Sequence, residues 1–123
     1  VQEGLKKLIK KQIISLNKIK QIAFASIEPV SKGDYKMVGE MMQEAWRYKK
    51  ESNKGVSNSE IDEIYELALK NGAYGGKVLG AGGARYMMFI VDPNKRKEFI
   101  KKMSMLEWWD FSPDFNGLET RIL

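Results

Sequence analysis

Apolar residues recur every three or four positions from residue 4 to about 28: Leu5, Leu8 or Ile9, Ile13, Leu16, Ile19, Ala23 and Ile27. That spacing follows the helical period and predicts one long helix with lysines on its other face. Pro29 and Gly33 punctuate its end. The same period in Tyr35, Val38, Met41, Met42, Ala45, Trp46 and Lys49 predicts a second helix over about 34–50. Asp34 is its expected N-cap, because a carboxylate can accept the free amide hydrogens of a first turn. Residues 51–55 read as a loop by composition. A third helix is expected from Ser57 or Ser59, with Ser57 and Glu60 at capping-box spacing. Ile61, Ile64, Tyr65 and Ala68 form its buried stripe, and Asn71-Gly72 ends it.

The pattern then changes. Lys77-Val78-Leu79 is a short strand flanked by glycines, and Tyr86 to Val91 is an apolar run too short for a helix. That run predicts a buried central strand. Asp92-Pro93 starts a helix over about 93–104, with Phe99, Ile100 and Met103 inward. Leu106 to Phe111 and Leu118 to Ile122 complete the strands, and Asn116-Gly117 turns between them. Within the first of these, Trp108 and Trp109 point to opposite faces. The order describes one α+β domain over residues 1–123: a small four-stranded antiparallel sheet packed with helices.

Composition removes several chemistries. The chain has no Cys and no His. It therefore lacks disulfides, a thiol nucleophile, the usual structural zinc sites and imidazole triads. Such a chain fits a reducing cytoplasm. No apolar run approaches the roughly 20 residues that span a bilayer, so no membrane association is expected. The net charge is +5, with Lys6, Lys7, Lys10, Lys11, Lys18 and Lys20 early in the chain. These read as a solvated helix face, or as attraction for anionic substrates. Nucleic-acid binding would need interleaved aromatics, and the segment has Phe24 alone. Asp62, Glu63 and Glu66 read as an acidic helix surface, so no metal site and no catalytic carboxylate pair is assigned. The beginning at Val1 suggests a fragment of a longer protein.

The segment with most chemical content runs from Asn71 to Tyr86 and holds six of the 11 glycines. Glycine lets backbone amides approach a ligand, and successive exposed amides make a nest for anions such as phosphate. Lys77 adds a cation. The same residues also suit a hairpin or strand crossing that needs small side chains. The segment is neither a Walker loop nor a dinucleotide fingerprint, because it leads into a strand instead of opening a helix.

Gly72-Ala73-Tyr74-Gly75-Gly76-Lys77-Val78-Leu79-Gly80-Ala81-Gly82-Gly83 resembles the third conserved motif of the GHMP kinases. The similarity is greatest to the D-glycero-D-manno-heptose 7-phosphate kinases and related sugar kinases. It extends upstream through Gly39, Glu44-Ala45-Trp46 and Lys49-Lys50, then Val56-Ser57-Asn58, Ile61-Asp62 and Tyr65-Glu66. Downstream it takes in Phe111 and Gly117. The resemblance implies the ferredoxin-like carboxy-terminal domain of an ATP- and magnesium-dependent kinase acting on a sugar or sugar phosphate. The main phosphate loop, the magnesium ligand and the catalytic Asp would come from an amino-terminal domain of the same protein. Gly75, Gly76, Lys77, Gly80, Ala81, Gly82 and Gly83 carry over as the phosphate-pocket motif, with no catalytic residue on this chain. Trp46 and Lys49 carry over as substrate contacts, against the plain alternative of a core indole and a surface amine. Where the family continues with two more glycines, this chain has Ala84 and Arg85. Arg85 either brings a cation near phosphate or fills the pocket. Alone, the fragment should be inactive and should self-associate as a homo-oligomer. The other reading is a non-catalytic binding or dimerisation module that kept the fold.

Overall fold

The computed structural model describes residues 2–79 and 86–106. The predicted first helix is two. Helix α1 runs Gln2–Ala25 and α2 runs Ile27–Lys32. Pro29 explains the break. It has no amide hydrogen for the carbonyl of Ala25, and its ring crowds that carbonyl. Gly33, at φ 70°, turns the chain into α3, Tyr35–Ser52. Asp34 caps α3 as expected: its Oδ1 accepts the amide of Met37 at 3.2 Å.

Helix α1 lies along α3, but only partly with the face its hydrophobic period suggests. Ser15 is buried and Gln12, Ile19, Ile22 and Ser26 are half-buried. Leu5 and Ile13 remain 57% and 52% exposed. Small Ser15 lets the two helices approach. Gln12 then donates its Nε2 hydrogen to the carbonyl of Ser52 at 2.9 Å, tying α1 to the end of α3.

A short 3-10 turn over Lys54–Val56 leads to α4, Ser59–Lys70. The capping role falls to Asn58, whose Oδ1 accepts the Ile61 amide at 2.8 Å. Ser57 does not close the expected box with Glu60. Its hydroxyl donates to Asp62 at 2.7 Å. Gly72, at φ 115°, reverses the chain after α4. Strand β1 is Ala73–Leu79, longer than predicted because Gly75 and Gly76 belong to it. It pairs antiparallel with β2, Tyr86–Val91, with Gly76 opposite Phe89 and Leu79 opposite Tyr86. A bulge at Tyr74 shifts the register between Ala73 and Gly75.

Strand β2 is half-buried, not fully buried as its composition suggests. A 3-10 turn over Pro93–Lys95, capped by Asp92, precedes α5, Arg96–Lys102. The predicted helix over 93–104 is thus shorter and begins as a tighter turn. Among the described residues the fold is α+β, helix-rich, with a two-stranded sheet. The expected strands over 106–111 and 118–122, with Trp108 and Trp109, lie outside the described residues beyond Leu106. Two buried clusters form the core. One joins Trp46, Ile61, Tyr65 and Val78, the other Ala68, Ala73, Phe99 and Met103, and Phe89 packs against both.

Candidate functional site

A cavity of about 750 Å³ lies between α1 and α3. Its wall is mostly apolar: Leu16, Ile19 and Ile22 from α1, and Val38, Met41 and Met42 from α3. Trp46 and Lys49 from α3, Lys77 from β1, and Gln12 and Asn53 add the polar character. Three residues singled out from sequence, Trp46, Lys49 and Lys77, therefore line one space. Trp46 is 5% exposed, and its indole N–H is buried without a hydrogen-bond partner. Both lysines are exposed. Two ammonium groups beside a mostly apolar wall suit an anionic ligand.

Gly75 and Gly76 take a different position, inside the strand. A Cβ on Gly75 would fall 1.8 Å from the carbonyl oxygen of Gly39. A Cβ on Gly39 would fall 2.5 Å from the Cβ of Tyr74. Strand and helix thus meet backbone to backbone. A Cβ on Gly76 would strike the Phe89 ring at 2.4 Å. The amide of Gly76 donates to the Tyr65 hydroxyl at 2.9 Å, and that hydroxyl donates to the Gly76 carbonyl at 3.1 Å. Burial pushes the Tyr65 phenol up, and its bond with the Gly76 backbone pulls the other way. The remaining motif residues, Gly80, Ala81, Gly82, Gly83 and Arg85, lie outside the described residues, as does Ala84.

Sequence reasoning missed three participants. Gln12 was given no role, yet it lines the cavity. Tyr65 read as core, and its hydroxyl gave no signal. Gly39 was legible in principle: a glycine inside a helix loses stability unless something approaches closely. Among the described residues no group of three or more acidic residues could hold a metal ion. No described helix is long and apolar enough to cross a membrane.

The family model for the carboxy-terminal region of the GHMP kinases matches residues 25–104, from α1's last residue through α5. This chain belongs to the GHMP kinases C-terminal family. As such a domain it is similar to D-glycero-alpha-D-manno-heptose 7-phosphate kinase of Campylobacter jejuni, with 36% identity over 112 residues. That match takes in 89% of this chain and 33% of the relative. A bifunctional fucokinase/GDP-fucose pyrophosphorylase of Arabidopsis thaliana is 28% identical over 92 residues, 74% of this chain and 9% of the relative. A crystal structure from Campylobacter jejuni, described as that of a sugar kinase, superposes with a TM-score of 0.52 at 40% identity. It covers 70% of this chain and 26% of its own. The chain thus spans about a third or less of the relatives it matches. Helix α1, with its uncovered apolar residues, lies almost wholly ahead of the family match.

Proposed function

We propose that this domain belongs to an ATP-dependent kinase of a sugar or sugar phosphate, and that the cavity between α1 and α3 receives the acceptor. The observation that carries the reading is the convergence of Trp46, Lys49 and Lys77 on that cavity in a GHMP kinase domain. Trp46 would stack on the sugar ring and Lys49 would neutralise an acceptor phosphate. Lys77, the strand residue after Gly76, would face the transferred phosphoryl group. A nucleotide's phosphates would be bounded by Gly80, Ala81, Gly82 and Gly83, with Arg85 as the second cation. Gly75 and Gly76 serve this pocket by allowing α3 and Phe89 to come close, since the Gly76 amide is already bonded to Tyr65.

Phosphoryl transfer rests on positioning and on charge stabilisation. The described residues supply cations and shape. In this reading the magnesium ligands and the catalytic Asp belong to the amino-terminal kinase domain of the same protein. ATP with magnesium supplies the phosphoryl group, and this chain's residues orient the acceptor hydroxyl toward it. The reading includes a cytoplasmic location and a four-stranded antiparallel sheet extending from β1 and β2.

The test is ATP-dependent phosphorylation of sugars and sugar phosphates by residues 1–123 and by the protein carrying the amino-terminal domain. The fragment should be inactive and the two-domain protein active. Lys49→Gln or Lys77→Gln should raise KM for a sugar phosphate roughly tenfold or more, the worth of one hydrogen bond to a charged group. Unchanged kinetics in both variants would remove the cavity from the acceptor site. If the two-domain protein binds sugars but transfers nothing, the binding-module reading replaces the kinase.

A further inference from the structure

Gly76 is the last buried glycine before Lys77, and a side chain from α4 binds both its backbone groups. In an antiparallel pair the N–H and C=O of one residue share an edge, and alternate residues face the partner strand. Both groups of Gly76 go to the Tyr65 hydroxyl, at 2.9 and 3.1 Å. One phenol oxygen thus binds both backbone groups of one strand residue. A glycine left without those bonds would be a loose joint, given its conformational freedom.

The hydroxyl has little room to move. The Tyr65 ring stacks on Trp46, centroids 6.2 Å apart and planes at 19°. It meets Phe89 edge-on at 5.5 Å. On its other side Trp46 lines the cavity. The sequence of contacts is cavity, Trp46, Tyr65, Gly76, Lys77.

We infer that Tyr65 is a positioning residue: its hydroxyl fixes Gly76, and through it Lys77, against the Trp46 wall of the cavity. This rests on the kinase reading, since Lys77 matters there as the phosphate side of the pocket. A ligand pressing on Trp46 is one ring away from the atom that holds the strand, so the two halves of the site are set together.

The test uses Tyr65→Phe, which keeps the ring and removes one oxygen. In the two-domain kinase, steady-state rates are measured with ATP and a sugar phosphate varied separately. The variant should raise KM for ATP and for the sugar phosphate about tenfold with kcat within about twofold, as expected when binding geometry is lost and chemistry is not. A purely structural role gives the opposite pattern: fewer folded molecules, lower kcat and unchanged KM, and that result overturns the proposal. Wild-type turnover with an unchanged variant overturns it alone. A wild type without any ATP-dependent transfer removes the kinase reading and this inference with it. A measurement independent of the variant is amide hydrogen exchange in residues 1–123. Gly76 should be protected at least about a hundredfold, as buried bonded amides are, and exchange at the unprotected rate refutes the clamp.

Discussion

Single atoms decide much of this site. Gly75 tolerates nothing larger than hydrogen, because a Cβ would fall 1.8 Å from a backbone oxygen that cannot swing away. Gly75→Ala should cost about 3 kcal/mol, the upper end for overpacking, while Gly4→Ala, with open space at the Cβ position, should be neutral or slightly stabilising. Urea unfolding of both variants checks the contrast. Tyr65 carries a pH signature. Burial raises its folded-state pKa above the ordinary value near 10. A group whose folded pKa is raised contributes stability that is complete below the unfolded pKa and disappears as pH rises through the folded one. Stability should therefore fall as pH climbs past about 10, less steeply in Tyr65→Phe. Tyr74, raised by its partial burial and by the Asp92 carboxylate, has the same sign. The comparison of the two proteins across that pH range isolates Tyr65.

At the scale of elements, helix signals were read well and helix faces less well. The Asp34 cap was visible because an acidic residue preceded an apolar period, and it bonds as expected. The α4 cap moved by one residue. Two adjacent polar residues, Ser57 and Asn58, both suited the position, and only the backbone geometry could choose. Asn58→Ala should therefore cost about 1 kcal/mol, and Ser57→Ala less, because its partner Asp62 also has Lys50 at 3.5 Å. Thermal unfolding distinguishes them. On α1 the apolar period pointed to Leu5, Ile9, Ile13 and Leu16, yet Gln12 and Ser15 form the seam with α3. Helical periodicity gives a stripe, but the neighbour that covers it lies elsewhere in the chain. Strand β1 was underestimated for a similar reason. Glycine weakens a strand in isolation, and here Gly75 and Gly76 belong to one because α3, Phe89 and Tyr65 close around them.

Across the whole molecule, the apolar residues of α1 that α3 leaves open have a consequence. Leu5, Leu8, Ile9, Ile13 and Leu16 are all about half exposed or more. A run of this kind on one helix favours association. Residues 1–123 should therefore sediment as more than a monomer at high concentration, and Leu5→Gln with Ile9→Gln and Ile13→Gln should shift the distribution toward monomer. Sedimentation velocity across a concentration series is the check, and a clean monomer in the unaltered chain would refute the expectation. The amino-acid order by itself determined the α+β class, most element positions among the described residues, and a motif specific enough to point to the GHMP kinases. The first two are local properties, set by period and capping, and the third is a resemblance carried by the residues of one segment. Tertiary structure alone decided that Trp46 and Lys49 share a cavity with Lys77, some thirty residues away on another element. It also decided that Gly75 and Gly76 serve packing, and that a hydroxyl from α4 holds β1. Each depends on distances between segments remote in sequence, which are fixed only when the helices and the sheet close on one another.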